Sequence, residues 1–358
     1  MARTKRHWRG PLKELRRAVS YQKDAPLRMP LSKRFEMFRR GFRSASYALY
    51  SFDHNDPDDY LPDSAFREAT LINGPFCRRI LHDKLLFWRV FGDAFEGTFE
   101  MPRVVALIER GQLFPLPGGP AELRSVGALL EFCRRGTGVV LKPTDGWQGQ
   151  GIASLTVADG TPYLNGQPVS PETVATHVAG RDRTLVTERV VQTGYAAAIF
   201  PEAANSIRVT TMQDPDDGHR PFVAVAVHRF GSNTTRPTDN VSRGGLMAPI
   251  DLQTGELGLA VKFPRETGGE LFWCSHHPDT AAPIKGVKVP GWGTLQDQLL
   301  EVAARFPFLR YVGWDVLISG GTWWILEANH NPSPAVQMFH PYLKDPKVRR
   351  FFAHYGVV

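Results

Sequence analysis

The chain has 358 residues, 42% hydrophobic and 22% charged, with 33 Gly, 28 Pro and 3 Cys. These fractions are near globular averages and exclude wholesale disorder, a collagen-like chain and a disulfide scaffold, while the length suggests two or three packed units. No run reaches the ~18 apolar residues of a membrane span, and the first thirty residues lack the apolar stretch of a secretory signal. Cys77, Cys133 and Cys274 stand far apart with no C-x-x-C pair, which reads as three buried thiols in a reducing compartment and a cytoplasmic location.

The formal charge of +7 is unevenly placed. Residues 1–43 hold 14 Lys and Arg against 3 Asp and Glu, and the remainder is net −4. Such an arm suits anionic lipid headgroups at the inner membrane face or an acidic polymer, or is simply a solvated helical extension. Specific nucleic-acid recognition is not expected.

In chain order, residues 11–50 read as helical, interrupted by Pro26 and Pro30. His54–Tyr60 clusters acids but lacks the central Gly and closing Glu of a calcium loop, so it reads as a turn and helix cap. A helix is expected from near Arg78 to Phe91. From about residue 100 the texture becomes β-rich: Val139–Lys142, Ile152–Val157, Leu185–Val191, Ser206–Met212, Phe222–Phe230, Leu246–Leu252, Val312–Ile318 and Trp323–Ala328. Asp214–Gly218 and Gly320-Gly321 read as hairpin turns. Helices are expected at Leu295–Phe306 and Pro346–Tyr355. The fold class is α+β, a helical front followed by mixed sheets.

Two stretches carry chemistry. In Val139–Ile152 a β-run delivers Lys142, and a loop with Gly146, Gly149 and Gly151 leads to a second β-run. Glycines let backbone N–H groups approach an anion closely, and the lysine adds a point charge. No Gly-Lys-Ser/Thr follows and no helix opens, so this is not a P-loop but a strand–loop–strand flap. In residues 312–331, two apolar strands carry Asp315 on one and Glu327 and Asn329 on the other. Buried carboxylates are costly unless paired or metal-bound, and oxygen-only ligands suit Mg²⁺. A two-residue Gly320-Gly321 loop alone would set residue 315 opposite 326. A three-residue loop or one bulge is required to pair Asp315 with Glu327. His276-His277 lacks a third metal ligand at a telling spacing and reads as a loop.

Together these residues resemble the ATP-grasp superfamily, and most closely its sugar-transfer-associated group. The resemblance rests on His82-Asp83-Lys84, Leu141-Lys142-Pro143 with Gly146-Trp147-Gln148-Gly149, and Asn205-Ser206-Ile207-Arg208. It continues through Asp239-Asn240-Val241-Ser242-Arg243 and the Asp315/Glu327/Asn329 hairpin. It runs from about residue 45 to the C-terminus. It implies an ATP-grasp fold, two α+β subdomains gripping ATP, divided as residues 84–190 with the flap and 191–358 with the metal site. Residues 1–83 would be a basic helical region where many members of the superfamily have an α/β substrate domain.

Position by position, the resemblance makes Lys84 and Lys142 the lysines on ATP phosphates, and Gly146, Trp147, Gln148, Gly149 and Gly151 the flap. Glu188 resembles the acid on the adenine amino group, and Val190 or Val191 the hinge that reads the purine edge. Asp315, Glu327 and Asn329 would hold one or two Mg²⁺, for which Mn²⁺ would substitute. Arg208 would neutralise the transferred phosphoryl group together with Lys142, while Asn240 and Arg243 would lie near phosphate and acceptor. The implied reaction is an ADP-forming carboxylate–amine ligation through an acyl-phosphate, on a small-molecule or glycan-linked carboxylate. The group's name associates it with a cell-surface polysaccharide or its precursor. A kinase acting on a sugar-like hydroxyl and a non-catalytic basic adaptor are the alternatives.

Overall fold

The computed structural model describes residues 30–146, 149–263 and 271–358. At the front stand α1 (Leu31–Arg39), α2 (Ser44–Leu49) and α3 (Asp63–Ala69), followed by α4 (Gly74–His82) and α5 (Lys84–Phe91). The expected helical segment of residues 11–50 is thus seen as two helices after Pro30, and residues 11–29 lie outside the described ones. His54–Tyr60 is a turn and cap, with Asp56 Oδ1 accepting from the Asp58 N–H at 2.9 Å.

The helix expected over 78–91 is instead two, and Asp83 is the break. Its carboxylate accepts from the Leu85 and Leu86 N–H groups, capping α5. The Lys84 N–H donates to the Thr144 carbonyl at 2.8 Å. A helix start leaves backbone donors that an Asp side chain satisfies, so the cap competes successfully with continuation.

The first sheet comprises β1 (Val104–Glu109), β2 (Gln112–Pro115), β3 (Val139–Pro143), β4 (Ala153–Ala158), β5 (Thr161–Leu164), β6 (Gln167–Pro168) and β7 (Thr184–Glu188), ordered β2-β1-β7-β3-β4-β5-β6. Helices α6 (Val126–Arg135) and α7 (Pro171–Ala179) pack on it around Leu129, Cys133, Val174 and Val178. Both begin at a serine whose hydroxyl accepts from the first turn, Ser125 and Ser170. After the short α8 (Tyr195–Ile199) comes the second sheet. Its strands are β8 (Ile207–Asp214), β9 (Arg220–Phe230), β10 (Leu246–Pro249), β11 (Ala260–Lys262), β12 (Phe272–Cys274), β13 (Tyr311–Ser319) and β14 (Thr322–Asn329). Their order is β12-β11-β10-β9-β8-β13-β14. Helix α9 (Trp292–Arg305) precedes β13, and α10 (Pro346–His354) closes the described chain. All pairings between these strands are antiparallel.

Strand alternation decides what faces where. On β13, Val312, Trp314, Val316 and Ile318 enter a core shared with α4, α5 and α9. The same core takes Ile207 and Val209 of β8, and Ala226 and Phe230 of β9. Residues between them face the other way, where α3 and α10 cover one end with Phe66, Phe351 and Phe352, joined by Tyr342 from the segment before α10. The uncovered end carries Arg208, Arg229 and Asp315. In the first sheet Val139 and Leu141 point to the α6–α7 core, leaving Val140 and Lys142 on the opposite face.

Two expectations need correction. The strand read over Leu185–Val191 ends at Glu188, because Arg189–Thr193 leave the first sheet to cross toward the second. Cys77 and Cys133 are buried, but Cys274 is only half-buried, since it ends the short edge strand β12.

Candidate active site

A cleft of about 460 Å³ lies between the two sheets. This is within the ~300–1,000 Å³ typical of ligand pockets. One wall is built by the β13–β14 hairpin. Gly320 and Gly321, at φ of 57° and 80°, make a two-residue turn closed by the Ser319–Thr322 pair. Positive φ at both positions matches the twist of a hairpin, and glycine bears it without strain. Pairing then runs regularly to Val316–Ile325, where the register shifts, and Asp315 faces Glu327. Leu326 is the extra residue. The bulge turns both Leu326 and Glu327 into the cleft. Asn329, two residues on, shares this wall, and its Nδ2 is 3.4 Å from Asp315 Oδ2. The condition set by the sequence is therefore met by a bulge and not by a longer loop.

Asp315 is 2% exposed and heavily paired. Arg208 grips it with two bonds, Nε to Oδ1 and Nη2 to Oδ2, each 2.7 Å. Arg229 Nη2 adds a contact of 2.9 Å. Burial opposes the Asp315 charge, but Arg208 and Arg229 outweigh it and hold the carboxyl well below the usual range. Arg229 also meets Asp239 at 3.4 Å, and Asp239 accepts from the Ser206 N–H at 2.9 Å and from its hydroxyl. Burial raises the Asp239 pKa, and Arg229 works against that rise.

The facing wall carries the lysines. Lys142 extends from β3, and burial pushes it down to about 8, with Lys84 adding to the shift and Glu327 opposing it. Lys84, in the first turn of α5, has its Nζ 3.4 Å from Glu327 Oε2 and 3.5 Å from the Gly146 carbonyl. Both lysines and both carboxylates therefore converge on one place.

Gly146 and Gly149 line the cleft, and Gly151 sits at the base of the loop with φ of 73°. A Cβ on Gly151 would stand 2.9 Å from Pro143 Cγ, which explains the glycine there. Trp147 and Gln148 lie outside the described residues. Arg181 Nη1 donates to the Gly151 carbonyl at 2.8 Å, and its Nη2 is 2.7 Å from His177 Nε2.

Glu188 ends β7 on the cleft wall and pairs with Arg103. Val190 and Val191 follow it along the cleft, and Ser319 Oγ donates to the Val191 carbonyl at 2.6 Å, tying the crossing segment to the second sheet. Asn240 also lines the cleft, its Oδ1 accepting from the Ser242 N–H at 2.9 Å to cap the turn Val241–Arg243. Arg243 is exposed and does not line the cleft. His277 is buried with Nε2 2.8 Å from the Gly231 carbonyl, and its ring stacks on Phe200.

Arg229, Asp239 and Ser206 belong to the site without having been given a role in the sequence, although Ser206 and Asp239 lie in motifs that carry the resemblance. Arg229 continues the alternation of Val225 and Val227, so a charge at an inward position of an apolar strand was its signal. Asp239 and Ser206 stand beside residues that were chosen, Asn240 and Arg208, and only folding shows that they bond to each other.

Two antiparallel sheets gripping a shared cleft, lysines on one side and carboxylates on the other, are the arrangement of an ATP-grasp protein. The chain belongs to the sugar-transfer associated ATP-grasp family, whose model matches residues 69–343. None of the curated proteins matches it in sequence. Among solved structures it is similar to a D-alanine–D-alanine ligase from Bacillus anthracis, at 13% identity, covering 77% of this chain and 69% of that one, with a TM-score of 0.36. N5-carboxyaminoimidazole ribonucleotide synthetase from Thermotoga maritima is 9% identical, with 79% and 51% covered and a TM-score of 0.40. A Chryseobacterium gregarium RiPP-associated ATP-grasp ligase, in complex with ADP and a leader and core peptide, is 10% identical, with 79% and 67% covered and a TM-score of 0.37.

Proposed function

We propose that the protein is an ATP- and Mg²⁺-dependent carboxylate–amine ligase that works through an acyl-phosphate and releases ADP. Family membership supports ATP use and ligase-type chemistry. The observation that carries the finer reading is the bulge-set pair Asp315–Glu327, facing Lys84 and Lys142 across one cleft.

The residues present suit a hard divalent ion. Among the described residues no group of three or more His, Cys, Asp or Glu is gathered for a metal. Two carboxylates and the Asn329 amide oxygen form an all-oxygen set that leaves room for phosphate oxygens, as Mg²⁺ prefers. Mn²⁺ would fit the same donors. Bound there, the ion would offset charge on the transferred phosphoryl group and orient it.

Lys84 and Lys142 would hold the phosphates, and the Gly146–Gly151 loop would cover them and keep water from a readily hydrolysed intermediate. Glu188 with Val190 and Val191 would take the purine. Arg208 and Arg229, paired with Asp315 in this structure, would turn to the phosphoryl oxygens once Asp315 is engaged elsewhere. In the first step a carboxylate oxygen attacks the γ-phosphorus, the bond to the bridging oxygen breaks, and ADP leaves. In the second, an amine nitrogen attacks the acyl carbon, phosphate departs, and the amine loses its proton. No side chain is required as a covalent nucleophile. The carboxylate is proposed to belong to a sugar acid or polysaccharide precursor handled in the cytoplasm, a substrate class that rests on the family's association alone.

The test is ATP turnover with Mg²⁺ and a panel of uronic, amino and short aliphatic acids, with hydroxylamine as trapping amine. ADP formed together with a hydroxamate supports the ligase. ADP formed with a stable phosphomonoester and no hydroxamate replaces it by a kinase. No carboxylate-dependent ADP across the panel counts against both.

A further inference from the structure

Behind the glycine loop stands a histidine that does not line the cleft and that the ligase chemistry leaves without a role. His177 lies in the last turn of α7, and Arg181 follows it by four residues, just past the helix end at Ala179. The Arg181 backbone is fixed from two sides. Its N–H donates to the Val178 carbonyl at 3.0 Å, and its carbonyl accepts from the Gly111 N–H at 2.8 Å. The guanidinium then bridges two acceptors, the Gly151 carbonyl through Nη1 at 2.8 Å and His177 Nε2 through Nη2 at 2.7 Å. Arg181 Nε is buried without a partner, so these two bonds hold the group in place.

A guanidinium only donates, so His177 Nε2 is the unprotonated nitrogen and the ring is neutral, with its proton on Nδ1. A place in the last turn of a helix ordinarily favours the charged imidazole. Here burial, and after it Arg181, lower the His177 pKa from its ordinary 6.5. The remaining neighbours do not reverse this. Asp182 lines the same recess, but its Oδ1 accepts from the Arg110 N–H at 2.8 Å. Pro143 of β3, Thr184 of β7 and Thr176 are the neutral part of that recess. On α6, which packs beside α7, Glu131 is held by Arg134 and Arg135, and β5 carries Tyr163 as its titratable side chain.

Gly151 passes the constraint into the cleft. The Ile152 N–H donates to the Gly149 carbonyl at 3.3 Å, closing a turn. Gly149 lies against the opposite wall, where a Cβ on it would stand 3.5 Å from Thr238 Cγ2. We propose that His177 is a positioning residue for nucleotide binding: it orients Arg181, Arg181 fixes the Gly151 carbonyl, and the Gly149–Ile152 turn is thereby held beside the phosphates. The role rests on the nucleotide reading of the cleft given above. Protonation of His177 would turn its acceptor into a donor and set two cations 2.7 Å apart, so the hold on Arg181 would be lost. The nucleotide complex therefore favours the neutral ring, and the free protein takes up more protons as pH falls. Affinity is then lost as pH drops through the His177 pKa, which lies below 6.5.

The experiment measures the MgATP Kd of the full chain by calorimetry from about pH 7.5 down to about pH 5. The variants are His177→Gln, His177→Ala, Arg181→Ala and the double alanine. Glutamine offers an amide oxygen near the place of Nε2 and does not titrate. At the upper end His177→Gln should bind as the wild type does, and His177→Ala about threefold to tenfold more weakly. The double alanine should be no weaker than Arg181→Ala alone, since both act through one guanidinium. Toward pH 5 the wild type should lose about threefold or more in affinity relative to His177→Gln. Identical pH profiles for these two proteins overturn the proposal. So does an unchanged affinity in His177→Ala, a loss there that glutamine fails to restore, or losses that add in the double variant. If the wild type binds no MgATP at any pH, the nucleotide reading of the cleft falls and this role with it, an outcome visible in the wild type alone.

Discussion

Asp315 faces Glu327 across the β13–β14 hairpin although the two-residue Gly320-Gly321 turn would set it opposite Leu326. The extra residue in β14 changes which side chains share a wall, and with it the chemistry the wall can do. Glu327 is drawn to within 3.4 Å of Lys84, while Asp315 keeps both arginines. One carboxylate thus faces each cationic group.

Glu327→Gln should abolish the metal-dependent part of nucleotide binding while leaving the fold intact, since the side chain is half-exposed and nearly isosteric. At ligand one hundred times Kd, MgATP should stabilise the wild type by about 2.7 kcal/mol, roughly 4 °C for a chain of this size. Thermal denaturation with ATP, in the presence and absence of Mg²⁺, measures it. An equal Mg²⁺-dependent shift in the variant would remove Glu327 from the metal site.

Nucleotide affinity should fall as pH rises through about 8. Burial lowers Lys142 to about 8, whereas bound phosphate would favour its charged form. The complex therefore carries more protons than the free protein above that pH, and affinity is lost with increasing pH; below it the affinity levels off. A titration of ATP binding between about pH 6.5 and 9.5 reads the slope, and Lys142→Arg, whose guanidinium does not titrate there, should flatten it.

Arg181→Ala should loosen the flap without disturbing either core. Its hydrogen bond to the Gly151 carbonyl fixes the base of the loop, and a bond from a charged donor contributes about 1.5–3 kcal/mol. A rise of about tenfold in the ATP KM, with kcat little changed and the melting temperature lowered by roughly 2–4 °C, is the expected outcome. An unchanged KM would make the contact incidental.

Asp239→Ala should destabilise the protein by about 3 kcal/mol, because it leaves the buried Arg229 partly uncompensated and the Ser206 N–H without its acceptor. Urea denaturation would show it as a lower midpoint. Asp239→Asn, which preserves an acceptor oxygen, should recover part of the loss.

The sequence by itself determined the two-sided strands and the residue types on each side. Val312, Trp314, Val316 and Ile318 alternate with Asp315 and Leu317, and period-two alternation survives whatever the strand pairs with. It also marked Lys142, the glycine loop and the Gly-Gly turn, because backbone freedom and buried charge are local properties. Tertiary structure decided the rest. Asp83 ends one helix and starts another because capping satisfies donors that periodicity does not report. Glu327 faces Asp315 because a bulge, a feature of pairing and not of either strand alone, absorbs Leu326. Arg229 and Asp239, separated by ten positions in the chain, become partners only when the loop after β9 folds back over Ser206. Alternation states which face a side chain takes; which other face it meets is fixed only by register and packing.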